Sequence, residues 1–162
     1  MTIKQGDKLP DATLLTLGAA GPEPVQLADR LAGRRVALFG LPGAFTRTCS
    51  GAHVPSFIRT HDAIRAKGVD EVICIAVNDP FVMSIWGDQT GGTAAGITFL
   101  ADASAAFTKA IGMDMTAPAA GFYDRSRRYA LVAEDGVVTI LNEEVERGAC
   151  EISSGETLLT AL

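Results

Sequence analysis

Pro42, Thr46 and Cys49 bring together the residue types best suited to chemistry in this chain. A cysteine reacts as its thiolate, and an anion is favoured where a helix begins, because unpaired N–H groups and the positive end of the helix dipole meet there. The run Val36–Leu41 reads as a buried strand, while Val54, Phe57, Ile58, His61 and Ile64 recur at helical spacing after Cys49. Cys49 is therefore expected at the start of a helix, poised as a nucleophile; the plain alternative is a small buried hydrophobe. Thr46 could aim its hydroxyl at the sulfur or simply cap the helix. Pro42, with a fixed φ and no N–H, could shape the loop over the sulfur or merely end the strand. His53 follows Cys49 by four residues and can share its helix face, as part of a hydrogen-bond network or as a packing residue.

Pro42, Thr46 and Cys49 match the Pro-x-x-x-Thr-x-x-Cys signature of the peroxiredoxins, and the string PGAFTRTCSGAHVPSF resembles their type II (peroxiredoxin-5-like) branch. Similarity extends through Gly68–Cys74, Val77–Met83, Arg128-Tyr129 and Ser153–Leu162, nearly the whole chain. The resemblance implies a thioredoxin-like fold and a thiol peroxidase acting on hydrogen peroxide and alkyl hydroperoxides. Cys49 would attack one peroxide oxygen, expel water or an alcohol and become a sulfenic acid. Charge spreads over sulfur and two oxygens in that step, and a hydroxyl, backbone N–H groups and a guanidinium are suitable donors. Such chemistry needs no metal, haem or flavin.

The same resemblance favours a catalytic Thr46 and matches Arg128 to the active-site arginine, although Arg125 and Arg127 stand beside it and a charged turn is the simpler reading. It also places a histidine at the position of His53, to which no acid–base role is assigned. Cys74 resembles the resolving cysteine of plant-type members, but it falls in an expected buried strand. Cys150 lies near the resolving position of animal-type members, in a poorly matching context. Reduction of the Cys49 sulfenic acid by glutathione or glutaredoxin is accordingly preferred to an internal disulfide recycled by thioredoxin. A homodimer is expected, formed through Phe45 and the Phe81–Trp86 segment. A thioredoxin-type oxidoreductase is disfavoured because Thr46 stands where Cys-x-x-Cys needs its first cysteine. A peroxide sensor or holdase signalling through Cys49 oxidation is the non-enzymatic alternative.

Around these residues, short strands are expected at Ala12–Leu17 and Val25–Leu27, with a further strand at Val36–Phe39. A helix runs from Cys49 to Lys67-Gly68, with Pro55 bending its early turns. The strand Glu71–Val77 precedes a helix opening at Asn78-Asp79-Pro80 with a Phe81, Ile85 and Trp86 stripe. Ile97–Leu100 reads as a strand, Ser104–Ile111 as a short helix, and Tyr129–Ala133 with Val137–Leu141 as a hairpin turning at Glu134-Asp135-Gly136. A helix around Glu156–Ala161 closes the chain. The alternation implies an α/β domain over residues 1–162, a central mixed sheet flanked by helices.

The chain has 162 residues, 48% of them hydrophobic, which is enough to bury a substantial core. Fourteen Lys and Arg against nineteen Asp and Glu give a net charge of −5, which argues against a nucleic-acid partner. No apolar stretch reaches the roughly 20 residues needed to span a bilayer. Three cysteines are too few for a disulfide scaffold or a four-ligand zinc site. The N-terminal residues lack the pattern of a secretory or transit signal, so cytoplasmic residence is expected.

Overall fold

In the computed structural model, which describes residues 1–162, three apolar runs form the parallel centre of a sheet: β3 (Arg35–Gly40), β4 (Glu71–Ala76) and β5 (Thr98–Ala101). Their alternate side chains enter different cores. Val36, Leu38, Ile73 and Ile75 pack on one face, and Ala37, Phe39, Cys74 and Ala76 on the other. Such continuous apolar strands suit a sheet covered on both sides. β1 (Thr13–Gly18) and β2 (Gly21–Gln26) add an antiparallel edge, while β8 (Tyr129–Glu134) and β9 (Val137–Glu143) extend the other side. The order is β2-β1-β5-β4-β3-β8-β9. Asp135 and Gly136 both have positive φ, as a two-residue type I′ turn requires. This is the mixed sheet flanked by helices that the alternation implies.

Helix α1 (Leu27–Leu31) escapes the sequence reading, which extends a strand to Leu27. Its opening Ala28 N–H is satisfied by the Asp11 carboxylate at 3.1 Å, a cap supplied from outside the local sequence. A second omission is the small antiparallel pair β6 (Asp114–Ala117) and β7 (Phe122–Ser126), whose short, mostly exposed strands show no clean alternation.

The Cys49 helix is not continuous. Cys49–His53 form a π-helical turn before α2 (Val54–Ala66), and the Val54 N–H donates to Cys49 O across five residues. Pro55 has no N–H for the Gly51 carbonyl, so the α-helical ladder breaks at this point and the wider turn accommodates it. Helix α3 (Pro80–Gln89) begins where expected, with Asp79 accepting from the Val82 N–H. Its stripe is split, however: Trp86 is buried with Met83, while Phe81 and Ile85 face outward. Helices α4 (Ala106–Ala110) and α5 (Gly155–Ala161) complete the layers, and no helix is long and apolar enough to cross a membrane.

Register positions the chemistry. Gly40 pairs with Tyr129, so the loop leaving β3 lies beside Arg128, the residue entering β8. A Cβ on Gly40 would approach the Tyr129 ring to 2.3 Å; glycine is what lets these two strand ends close.

Candidate active site

The loop from Leu41 to Thr48 is tied down from distant parts of the chain. The Ala44 N–H donates to Asn78 Oδ1 at 2.9 Å, and Arg125 Nη1 donates to Pro42 O at 3.2 Å. A Cβ on Gly43 would meet Arg125 Nη1 at 2.2 Å, so a side chain there would evict the guanidinium. Phe45 sits at φ 61°, an uncommon conformation for an aromatic residue, and the surrounding hydrogen bonds hold it there.

Helical bonding begins as the Ser50 N–H donates to Thr46 O at 3.0 Å. Thr46 does not cap the helix with its side chain. Instead its hydroxyl donates to Gly43 O at 2.7 Å, which commits the proton and leaves the oxygen lone pairs available as acceptors. Thr48 donates to Gly148 O at 3.0 Å and thereby fastens the loop after β9 to the helix start.

Cys49 is fully buried, and Arg128 Nη2 lies 3.4 Å from its Sγ. The three neighbouring arginines are now distinct. Arg125 holds the Pro42 loop, Arg127 is occupied by Glu143 and the Gly112 carbonyl, and Arg128 alone reaches the sulfur. Arg128 is itself 6% exposed, and its Nε has no protein partner.

His53 orients that guanidinium. Its Nε2 lies 3.0 Å from Ser153 O, and a carbonyl only accepts, so Nε2 carries the proton. Nδ1 is then free to accept from Arg128 Nη1 at 3.1 Å. Burial, reinforced by the Arg128 charge, pushes the His53 pKa down to about 3, against the pull of the Ser153 carbonyl. The imidazole is therefore neutral throughout the physiological range. Phe39 and Phe57 wall it in, stacked with each other at 4.1 Å.

Ser153 is anchored in turn by Glu144, whose Oε1 accepts from the Ser153 N–H, the Ser153 hydroxyl and the Glu151 N–H. Burial alone would raise the Glu144 carboxyl, but these donors hold it below the ordinary carboxylate range. A relay runs from Glu144 through Ser153, His53 and Arg128 to Cys49. Glu144, Ser153 and Asn78 escaped the sequence reading as parts of the site, and Arg125 was seen there only as a rival to Arg128. Asn78, Arg125 and Ser153 meet Ala44, Pro42 and His53 across 34 to 100 residues, and Glu144 acts through a loop whose spacing carries no motif.

A cavity of about 510 Å³ opens above Arg128 and Thr46, with Pro42 on its edge and the β6–β7 pair as one wall. No cysteine lines it; Cys49 lies behind Arg128, which does. Cys74 is fully buried opposite Phe39 in the sheet, and burial followed by the neighbouring Cys49 raises its thiol well above the usual range. Cys150 is half-buried in the loop between β9 and α5; burial raises its thiol too, with Arg128 pulling the other way. All three thiols are unbridged. His61 is buried away from this cluster, beside Asp62 and Gly96.

The Redoxin family profile covers residues 4–159. The chain belongs to the Redoxin family, within the type II peroxiredoxins. This peroxiredoxin is 48% identical to rice Peroxiredoxin-2E-2, chloroplastic, over 99% of its own length and 73% of the relative's. Rice Peroxiredoxin-2C is 43% identical, over 97% of the chain and 96% of the relative. Among solved structures, reduced Prx3 from Vibrio vulnificus in complex with hydrogen peroxide is 46% identical with a TM-score of 0.90, each chain covered to 99%. Peroxiredoxin 5 from Alvinella pompejana, 31% identical, superposes with a TM-score of 0.83 over 98% of this chain and 97% of that one. The thioredoxin-like fold read from the sequence is thus that of its structural relatives, and the activity of this peroxiredoxin is that of a thiol-dependent peroxidase.

Proposed function

We propose that Cys49 is the peroxidatic nucleophile, with Arg128 and Thr46 as the groups that hold the peroxide. The observation that carries this reading is the 3.4 Å contact between Arg128 Nη2 and Cys49 Sγ, with Arg128 itself lining the cavity. Arg128 supplies fixed donors toward the sulfur and the peroxide oxygens, where negative charge is spread in the transition state. Thr46, with its own proton given to Gly43 O, accepts from the peroxide O–H and aligns it. The sulfur attacks the terminal oxygen, an S–O bond forms as the O–O bond breaks, and the leaving oxygen takes a proton from water to depart as water or alcohol. Cys49 remains as a sulfenic acid. Pro42 shapes the loop over the sulfur, and His53 is a positioning residue that acts through Arg128.

Glutathione, directly or through a glutaredoxin, then attacks the sulfenic sulfur to give a mixed disulfide and water. A second thiol regenerates Cys49 and carries away the disulfide. What supports this cycle over an internal disulfide is the state of the other two cysteines. Both thiols are pushed toward their protonated, poorly nucleophilic form, and Cys74 lies inside the sheet. Turnover on reduced thiols suits a cytoplasmic setting. The outward Phe45, Phe81 and Ile85 favour a homodimer, since they leave an apolar patch beside the active-site loop.

Arg128→Lys tests the assignment. Lysine cannot reach His53 and Cys49 with two fixed donors at once, so the second-order rate with hydrogen peroxide falls about a hundredfold. An unchanged rate in stopped-flow measurements would remove Arg128 from the site.

A further inference from the structure

The cavity lined by Arg128 and Thr46 is far larger than hydrogen peroxide needs. A water molecule occupies about 30 Å³ in the liquid, whereas this space measures about 510 Å³. Its character changes with depth. The floor is polar, at Arg128 and Thr46; Met115, Ala117 and Phe122 make an apolar side above it, with the exposed Val145 at the rim. Arg47 and Arg147 stand at the mouth, both exposed.

These two arginines differ from the others nearby. No ion pair involves either, and neither side chain makes a hydrogen bond, whereas Arg125 is held by Pro42 O and Arg128 by His53 and Cys49. Arg127, by contrast, is paired with Glu143. On the acidic side, Glu144 faces the backbone of the 151–153 turn and already accepts its donors, which leaves Glu146 as the opposing carboxylate. A chain of net charge −5 thus concentrates two free cations at the entrance of a partly apolar cleft. Both are tied to the reacting centre. Arg47 lies two residues before Cys49, and Arg147 adjoins Gly148, whose carbonyl accepts from Thr48.

We propose that the preferred substrates are organic hydroperoxides bearing a carboxylate. The peroxide group descends to Arg128 and Thr46, the hydrocarbon lies on the Met115–Phe122 wall, and the carboxylate remains at the mouth with Arg47 and Arg147. No new bond chemistry is required. Rim charges chiefly raise the encounter rate, and their effect falls with ionic strength. The inference rests on Cys49 as the nucleophile.

The test is single-turnover oxidation of the reduced full-length protein, with free thiol removed so that reductant binding plays no part. Trp86 is the sole tryptophan and donates to Ser50 Oγ at 2.9 Å, next to Cys49, so its fluorescence can report the reaction. Three oxidants are compared below micellar concentration: a fatty-acid hydroperoxide, its methyl ester and hydrogen peroxide. The acid is expected to react about five- to tenfold faster than the ester at low salt, with the gap closing at high salt. The double variant Arg47→Gln/Arg147→Gln is expected to lose that gap while keeping the hydrogen peroxide rate. Equal rates for acid and ester in the wild type would overturn the proposal, as would a double variant that slows all three oxidants alike. Failure of hydrogen peroxide to oxidise wild-type Cys49 would remove the assignment beneath it.

Discussion

At the scale of single residues, the site depends on one guanidinium shared between a sulfur and a neutral imidazole. His53 keeps its Nδ1 lone pair because Nε2–H is committed to Ser153 O. This arrangement has a signature in stability. The folded-state pKa of His53 lies at about 3, below the ordinary value of 6.5, so between those two values the unfolded chain binds a proton that the folded chain does not. Stability therefore rises with pH across that window, by at most about 1.4 kcal/mol per unit, and the contribution is complete above it. Urea unfolding of His53→Gln should show a shallower slope there than the wild type. Equal slopes would mean that His53 is protonated in the folded state. Of this network the local sequence displayed only Pro42, Thr46, Cys49 and the spacing to His53. Local sequence did not separate Arg128 from Arg125 and Arg127; the family resemblance singled it out, and the fold puts its side chain, rather than theirs, against the sulfur.

At the scale of elements, the π-helical turn sets where Cys49 points. A wide turn costs helical regularity, and here it follows from the missing N–H of Pro55. Pro55→Ala restores a donor for Gly51 O and lets the turn tighten toward α-helical geometry. Tightening rotates Cys49 relative to His53 and away from Arg128. The hydrogen peroxide rate should fall by about tenfold, the scale expected when a reacting group is slightly misplaced, while thermal stability holds or increases. A variant with wild-type rate would show that the turn does not position the sulfur. The strands β3, β4, β5, β8 and β9 and helices α2, α3 and α5 were legible because apolar periodicity and turn residues report them locally. The π-helical turn, α1 and the β6–β7 pair were not. The first reflects a broken ladder, the second a cap supplied by Asp11, and the third a pair of exposed strands without alternation.

At the scale of the whole molecule, Phe81 and Ile85 are 53% and 54% exposed on α3, and Phe45 is 55% exposed at the rim of the active-site loop. Pairing through this patch would bury it and brace the strained Phe45 turn. Sedimentation under reducing conditions at tens of micromolar should give a dimer for the wild type and a monomer for Phe81→Glu, with lower peroxidase activity in the variant. A wild-type monomer under those conditions would contradict the pairing. The sequence showed the apolar residues of α3 as one stripe; only the packing against Ser50 and Phe99 revealed that Trp86 belongs to the core and its neighbours to the surface.

The central claim is that Cys49 reacts alone and is returned by an external thiol. Intact-protein mass spectrometry tests it most directly, on reduced wild type, Cys74→Ser and Cys150→Ser after one equivalent of hydrogen peroxide, with and without glutathione. The expected result is a gain of one oxygen, mapped to Cys49 and converted by glutathione into a mixed disulfide in all three proteins. Loss of two hydrogens in the wild type, abolished in just one of the variants, would contradict the account and identify that cysteine as the resolving thiol.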